Sequence, residues 1–543
     1  MLVNLIPTKT AQEVTMLRIS SGQEQGASRL INRREFLVQT GAVGTTATLA
    51  VAFPSGAALA QTPRKGGVLK QGLNAGSTTD TLDPALITTV FGENIGWQLF
   101  NSLVEINDKK EAVPELAESW EAKPGATEWI FNLKRGVHFN NGKEMTADDV
   151  IFSLQHHMKP SSKSGAKPLL SSIQEIKKTG PYQFRVTLSS GNVFLPYTFA
   201  YPYLLVFPEN HEDWSSPVGT GPYVLDAYNP GVRVFAKRNP NYWKPNRAHF
   251  DAVETLVIND VTARVNALVS GAVHIINRID NRTVTRLANV AGIVIQRTPG
   301  GQHSTFVMDC ESDPFKDNNV RLALKHAIDR ELILRTVHQG YGALANDHPI
   351  RANDPAFNAA LPQRQYDPDR AKFYWKQSGL SGVAIELVTS PAATANAQDQ
   401  AVLFQESTKR IGINIAVKLM PADGYFSKVW MKVPFCMSNW QGGPTADSIF
   451  SIGYKSDAAW NDARWRRADF DKLLLAARAE FDTDKRNTMY WEMQRMVNED
   501  GGNIIPAFID YIDATSSKLK GYVPNPFREC AGERLAEQAW FED

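Results

Sequence analysis

The sequence predicts an α/β protein with more than one core-forming unit, and three observations carry that reading. Apolar residues alternate along several short runs rich in β-branched and aromatic side chains. Helix-period stripes with capping and stop signals fall between those runs. At 543 residues the chain is longer than one hydrophobic core usually serves.

Strand signals occur at Glu128–Leu133, Gln183–Leu188, 232–236, 255–258 and 293–297. They recur where Ile413, Ile415, Val417 and Leu419 alternate with their neighbours, the period of a half-buried strand. Helices are expected between them. Thr146 with Asp149 reads as a capping box ahead of Val150, Ile151, Leu154 and Met158. Val265, Leu268 and Val269 form an apolar stripe that stops at Gly271. Phe470, Leu473, Leu474 and Ala477 form another. Met489, Met493 and Met496 form a third, read as core packing rather than as a metal or haem site. No repeat with a period of about 20 to 50 residues occurs, which argues against a solenoid or propeller.

Asn32-Arg33-Arg34-Glu35-Phe36-Leu37 opens a moderately apolar span, thinned by Gly41, Gly44 and several threonines. It ends at Pro54 and is followed by Ala58-Leu59-Ala60. A basic region, an apolar stretch and an A-x-A-like site read as a cleaved export signal. The paired arginines before Phe-Leu indicate the twin-arginine route. With its glycines and threonines, the span is at the short limit for a bilayer-crossing helix. Residues 1–60 are therefore expected to be a signal peptide, and the mature chain a soluble periplasmic protein.

The chain is 43% apolar and 21% charged, an ordinary globular composition. Its 58 Lys+Arg against 57 Asp+Glu give a net charge of +1. Loss of the leader removes Lys9, Arg18, Arg29, Arg33 and Arg34 with Glu13, Glu24 and Glu35, and leaves the balance near zero. Such a chain lacks the basic surface that general nucleic-acid binding requires. Cys310, Cys436 and Cys530 contain no C-x-x-C, which argues against thioredoxin-like redox chemistry and structural zinc. Export to an oxidising compartment leaves two readings open: a Cys310–Cys436 disulfide with one thiol over, or three buried thiols.

Motifs of catalysis are weak. Ser164-Gly-Ala-Lys167 and Lys178-Thr179-Gly180 fit two elements of penicillin-recognising enzymes, but they lie close together, Ser164 sits in a Ser/Lys/Gly loop, and no S-D-N accompanies them. Gly340-Tyr-Gly342-Ala-Leu-Ala345 fits a dinucleotide fingerprint in letters without the strand–turn–helix context. His156-His157 point about 100° apart on a helix and do not make a metal pair. No G-x-S-x-G, H-E-x-x-H or Walker A sequence occurs. The sequence reads as non-catalytic and without a cofactor.

From Lys65 to about Gly521, the order of local motifs resembles the extracytoplasmic solute-binding proteins of the peptide/nickel class, family 5, the dipeptide- and oligopeptide-binding receptors of ABC importers. It opens with Gly66-Gly67-Val-Leu-Lys70, Thr81-Leu-Asp83-Pro84-Ala85, Leu99-Phe-Asn-Ser-Leu103-Val-Glu105 and Pro114-Glu-Leu-Ala-Glu-Ser-Trp120. The densest match is Phe131-Asn-Leu-Lys-Arg-Gly-Val-His-Phe139, then Asn141-Gly-Lys143 and Thr146-Ala-Asp-Asp-Val150. Gly219-Thr-Gly-Pro-Tyr223, Arg238-Asn-Pro-Asn-Tyr-Trp243 and Val320-Arg-Leu-Ala-Leu-Lys-His-Ala-Ile-Asp-Arg330 follow.

The resemblance implies a two-lobed α/β periplasmic-binding-protein fold with a solute cleft between the lobes. Lobe I would combine 62–110, 213–300 and 515–543, with an inserted subdomain at 111–212; lobe II would be 301–514. Hinges are expected near 299–302 and 508–515. The implied role is that of a monomeric receptor that delivers a peptide or similar polar solute to an ABC permease and its ATPase.

In the peptide receptors the third residue after a strand-ending tryptophan is typically an aspartate that pairs with the peptide ammonium. Here Phe435-Cys-Met-Ser-Asn-Trp440 is followed by Gln441 and Gly442, and Gly443 stands at that position. That departure widens the ligand field to opines, amino-sugar conjugates, oligosaccharides or metal chelates. A periplasmic hydrolase on a similar scaffold is the rival from another class. The expected ligand contacts are Trp440, Gln441, Thr445, Asp447, Asn461 and Trp465, faced by Phe91, Glu93 and His303. No metal site is expected.

Overall fold

The structure is a computed structural model that describes residues 63–542 apart from 88, 381, 395, 422 and 423. The export signal read at 1–60 lies outside the described residues. No helix among the described residues is long and apolar enough to cross a membrane.

The first sheet has seven strands in the order Ile293–Thr298, Tyr511–Ser516, Ile275–Ile276, Val68–Leu73, Ala252–Val257, Arg233–Arg238 and Tyr223–Asn229. Val68–Leu73 runs parallel to both of its neighbours, and the remaining pairings are antiparallel. Both faces are covered, as Ile275 and Ile276 show. Successive strand residues point to opposite faces. Ile275 joins a core with Leu69, Phe91, Phe100 and Phe250, whereas Ile276 joins Val265, Leu268 and Ile512.

The second sheet runs Gly342–Leu344, Ala507–Ile509, His303–Met308, Phe435–Trp440, Ala384–Thr389 and Asn414–Leu419, with Asn503–Ile504 also paired to His303–Met308. Every residue of His303–Met308 is buried. Its core gathers Phe306, Phe404, Phe450 and Phe470 with Met493 and Met496, and full burial of each such side chain contributes roughly 1.5–3 kcal/mol.

A third, antiparallel sheet of Ala117–Ala122, Glu128–Leu133, Gln183–Leu188 and Ile173–Gly180 has its own core. Phe131 and Phe184 stack there with centroids 5.2 Å apart. Helix Ala147–Met158 packs beside it and opens with the capping box of Thr146 and Asp149.

The chain passes from the first sheet to the second between Thr298 and His303 and returns between Ile509 and Tyr511. Strand Tyr511–Ser516 thus belongs to the first sheet from its first residue, four positions ahead of the expected boundary at 515. The two crossings are packed against each other. A Cβ on Gly300 would lie 2.3 Å from the Tyr511 ring, so only glycine fits there.

Contacts away from the crossings also join the second sheet's side of the chain to the remainder, the Phe194–Tyr490 ring pair at 6.4 Å among them. Lys110 pairs with Asp354 at 3.0 Å, both nearly buried. The Val193 amide donates to the Arg478 carbonyl at 2.8 Å. Arg282, on helix Asn281–Leu287, pairs with Asp399, on helix Ala397–Lys409.

The Cys310–Cys436 disulfide is not formed; all three cysteines are free. Register explains why. Cys436 faces Val307 across the ladder, and Cys310 lies three residues farther along. At a strand rise of about 3.3 Å per residue, the offset is about 10 Å, beyond the reach of a disulfide.

Candidate functional site

A cavity of about 480 Å³ lies between the first two sheets. The first contributes Asn74, Arg264, Arg278, Ile279, Asp280, Asn281, Tyr511 and Glu529; the second contributes Gln302, His338, Thr394, Asn396, Asn439, Gln441 and Asp510. Asn74, Arg278 and Gln441 follow the carboxyl ends of Val68–Leu73, Ile275–Ile276 and Phe435–Trp440. Those strands each have a parallel neighbour, and open α/β sheets hold ligands at that end.

The charges of this wall are largely spoken for. Arg264 donates to four carbonyls: Nε to Asn277 at 3.3 Å, Nη1 to Ile258 and Asn259 at 2.8 Å each, and Nη2 to Arg278 at 3.2 Å. Nε of Arg278 reaches both carboxylate oxygens of Glu529 at 3.0 Å. Asp510 accepts from Arg351 at 2.8 Å and from Arg297. Asp280 caps a helix by accepting from the Arg282 amide at 2.8 Å. His338 is 1% exposed, and neither ring nitrogen has a partner among the described residues. Burial pushes its pKa down to about 4, so the ring is neutral at ordinary pH. The Tyr511 hydroxyl donates to the Gln441 carbonyl at 3.1 Å and spans the gap between the sheets.

Of the nine side chains expected from sequence to contact ligand, Gln441 lines this cavity and the other eight do not. Trp440 and His303 face each other across the ladder. Trp440 donates from Nε1 to Asp462 at 3.2 Å, within the core of the second sheet. His303 contacts the Gly301 carbonyl through Nδ1 at 2.9 Å and packs on Phe508. Thr445 caps helix Ala446–Gly453. Asp447 pairs with Arg478 at 3.0 Å. Asn461 donates to the Lys455 and Trp465 carbonyls at 3.2 and 2.7 Å. Trp465 donates to Asp500 at 3.0 Å and packs on Phe470. Phe91 is in the core of the first sheet, and Glu93 pairs with Arg528 at 3.4 Å.

Strand phase accounts for the Trp440 segment. Side chains alternate along a strand, so Asn439 and Gln441 line the cavity while Trp440 turns into the core. A Cβ on Gly443 would lie 2.0 Å from Ser448 Oγ, so a side chain there displaces that hydroxyl from its place in the helix cap. The residues that sequence reasoning missed, Arg278, Asp280 and Asn281 among them, directly follow the short strand Ile275–Ile276. The signal that could have found them is their place at the carboxyl end of a parallel strand.

A cavity between two sheets, bordered by two chain crossings and lined by polar and apolar groups alike, is the architecture of a binding protein that takes a solute between its sheets. Residues 111–462 match the profile of the bacterial extracellular solute-binding proteins, family 5, middle region, and the chain belongs to that family. It is 25% identical to the heme-binding protein A of Haemophilus influenzae over 482 residues, covering 82% of this chain and 88% of that one. It is 24% identical to the dipeptide-binding protein of Escherichia coli over 466 residues, covering 79% and 87%. Among solved structures, DppA of Helicobacter pylori in complex with the peptide STSA superposes with a TM-score of 0.76 at 22% identity, covering 88% of this chain and 99% of that one. AgaA of A. tumefaciens R10 with agropinic acid gives 0.74 at 24% identity, covering 88% and 99%. These likenesses establish the two-lobed α/β fold that the motif order implied.

Proposed function

We propose that this chain is the substrate-binding component of an ABC importer, exported to the periplasm through the twin-arginine route and working there as a monomer. It takes a small polar solute into the cleft and delivers it, chemically unchanged, to a membrane permease with its ATPase. One lobe is built on the first sheet with the third sheet as its inserted subdomain, and the other on the second sheet. The hinges are the crossings at 299–302 and around Asp510.

The single observation that carries this reading is the cavity of about 480 Å³ between the sheets, to which both sheets contribute hydrogen-bonding side chains. Pockets of about 300–1,000 Å³ hold small molecules. Contacts to both lobes are what allow a solute to favour the shut form over the open one. The named relatives bind heme, dipeptides, a tetrapeptide and agropinic acid, so the scaffold does not itself set the cargo. Gln441, Asn281 and Asn439 are proposed contacts.

The test is native mass spectrometry of the mature protein purified from its own periplasm. A retained solute of constant mass before and after prolonged incubation is expected. Its conversion to a product would replace the receptor reading with the hydrolase one, and a protein that never retains a solute would defeat the reading.

A further inference from the structure

We infer that the cleft selects a small solute bearing a carboxylate, which is held on the two terminal guanidinium nitrogens of Arg278. The inference rests on the receptor reading above and adds the chemical class of the cargo.

Arg278 is fixed by its surroundings. Its backbone sits at φ 46°, in the left-handed region, which costs a non-glycine residue roughly 1 kcal/mol or more. Its carbonyl accepts from Arg264 Nη2, and its Nε is held by Glu529. Among the described residues nothing bonds Nη1 or Nη2, and the side chain is 35% exposed where it lines the cavity. A guanidinium anchored along one edge presents two parallel donors on the other, the geometry that a carboxylate matches bidentately.

The rest of the wall leaves the fork of Arg278 to the guest. Arg264 spends four of its five N–H donors on carbonyls, and Asp510 is neutralised by Arg297 and Arg351. Among the described residues of the lining, Arg278 is the cation with both terminal nitrogens unbonded, and Glu529 offsets its charge. The guest is then held by the paired N–H donors of the fork and not by an excess of positive charge. Among the described residues, nothing bonds the side chains of Gln302 and Gln441, which offer neutral hydrogen bonds to the remainder of the guest. An ammonium is not required, since Gly443 carries no carboxylate and Asp447 is taken by Arg478.

The experiment exposes solute-free mature protein to the small-molecule fraction of a host-cell extract. Half of the extract is first methyl-esterified to mask carboxylates, and retained solutes are released and weighed. The expected result is a carboxylate-bearing solute from the untreated half, with at least a tenfold fall in its retention from the esterified half. The double variant Arg278→Gln/Glu529→Gln removes both charges together and is expected to show the same loss with a cooperative melt. Arg278→Lys keeps a charge beside Glu529 without the fork and is expected to lose retention several-fold, which tests the inference even if the double variant does not fold. A retained solute without a carboxylate, or equal retention by either variant, would overturn the inference and leave the receptor reading intact. No retention from either half by the parent protein would overturn both.

Discussion

Arg351 donates to Asp510 at 2.8 Å, and both side chains are buried where the chain returns from the second sheet to the first. Arg351 also donates to the Gly300 carbonyl at 2.7 Å, so one guanidinium joins the outgoing and returning crossings. Removing one partner of a buried pair leaves an uncompensated charge, which costs about 3–5 kcal/mol. Asp510→Ala is therefore expected to destabilise the protein by roughly 3 kcal/mol, read from urea unfolding midpoints. A change under about 0.5 kcal/mol would mean that this pair does not secure the crossings.

The pH dependence of stability should have two arms. Burial alone would raise the Glu115 carboxyl, but Arg534 and Lys244 outweigh it and hold the group far below its ordinary range. Glu537 is lowered in the same way. Such groups contribute stability above the unfolded-state pKa and lose it as pH falls toward the folded-state value. Unfolding free energy should thus drop steadily below about pH 4, and Glu115→Gln should flatten that arm.

Asp513 behaves oppositely. Burial, with Glu529 nearby, pushes its pKa up to about 7. The folded state then holds a proton that the unfolded state releases, so this contribution is full below about pH 4 and is lost as pH rises to about 7. Asp513→Asn, which cannot ionise, should gain stability relative to the parent at pH 8 compared with pH 5. A parallel shift at both values would refute the assignment.

The Arg282–Asp399 pair lies beside Asn281 and Asn396 of the cavity wall, and its side chains are 64% and 49% exposed. Exposed pairs contribute little. Asp399→Asn is expected to change stability by less than about 0.5 kcal/mol, yet to speed solute release by about twofold, since mutational effects on binding fall mainly on the off-rate. Stopped-flow release from the loaded protein checks this. An unchanged rate would make the pair a surface ornament.

Gly443→Asp puts a carboxylate where the peptide receptors carry one. Its Cβ would collide with Ser448 Oγ, which closes the cap of helix Ala446–Gly453. Overpacking of this kind costs about 1–3 kcal/mol. A lower melting temperature without new dipeptide affinity is expected, and tight dipeptide binding by the variant would contradict it.

The fold was legible wherever local chemistry set it. The alternation read from Ile413 holds through Ile415 and Val417 in and just before strand Asn414–Leu419, with Asn414 and Ala416 exposed between, whereas Leu419 at its end is exposed. Thr146 and Asp149 cap the helix that they announced. Met493 and Met496 pack in the core, as their spacing implied. The site was far less legible. Its lining comes from segments hundreds of residues apart, and none announces itself locally: Asn74, Arg278, Thr394 and Asp510 meet only through sheet order. Trp440 attracted attention by its size, whereas strand phase gives the cavity to the plainer Asn439 and Gln441. Cys310 and Cys436 looked compatible until register separated them.

The ties at Lys110–Asp354, Val193–Arg478 and Arg282–Asp399 lie away from the two chain crossings. If the two sides part, these contacts would part with them, so opening would draw on more than the bending of two short segments.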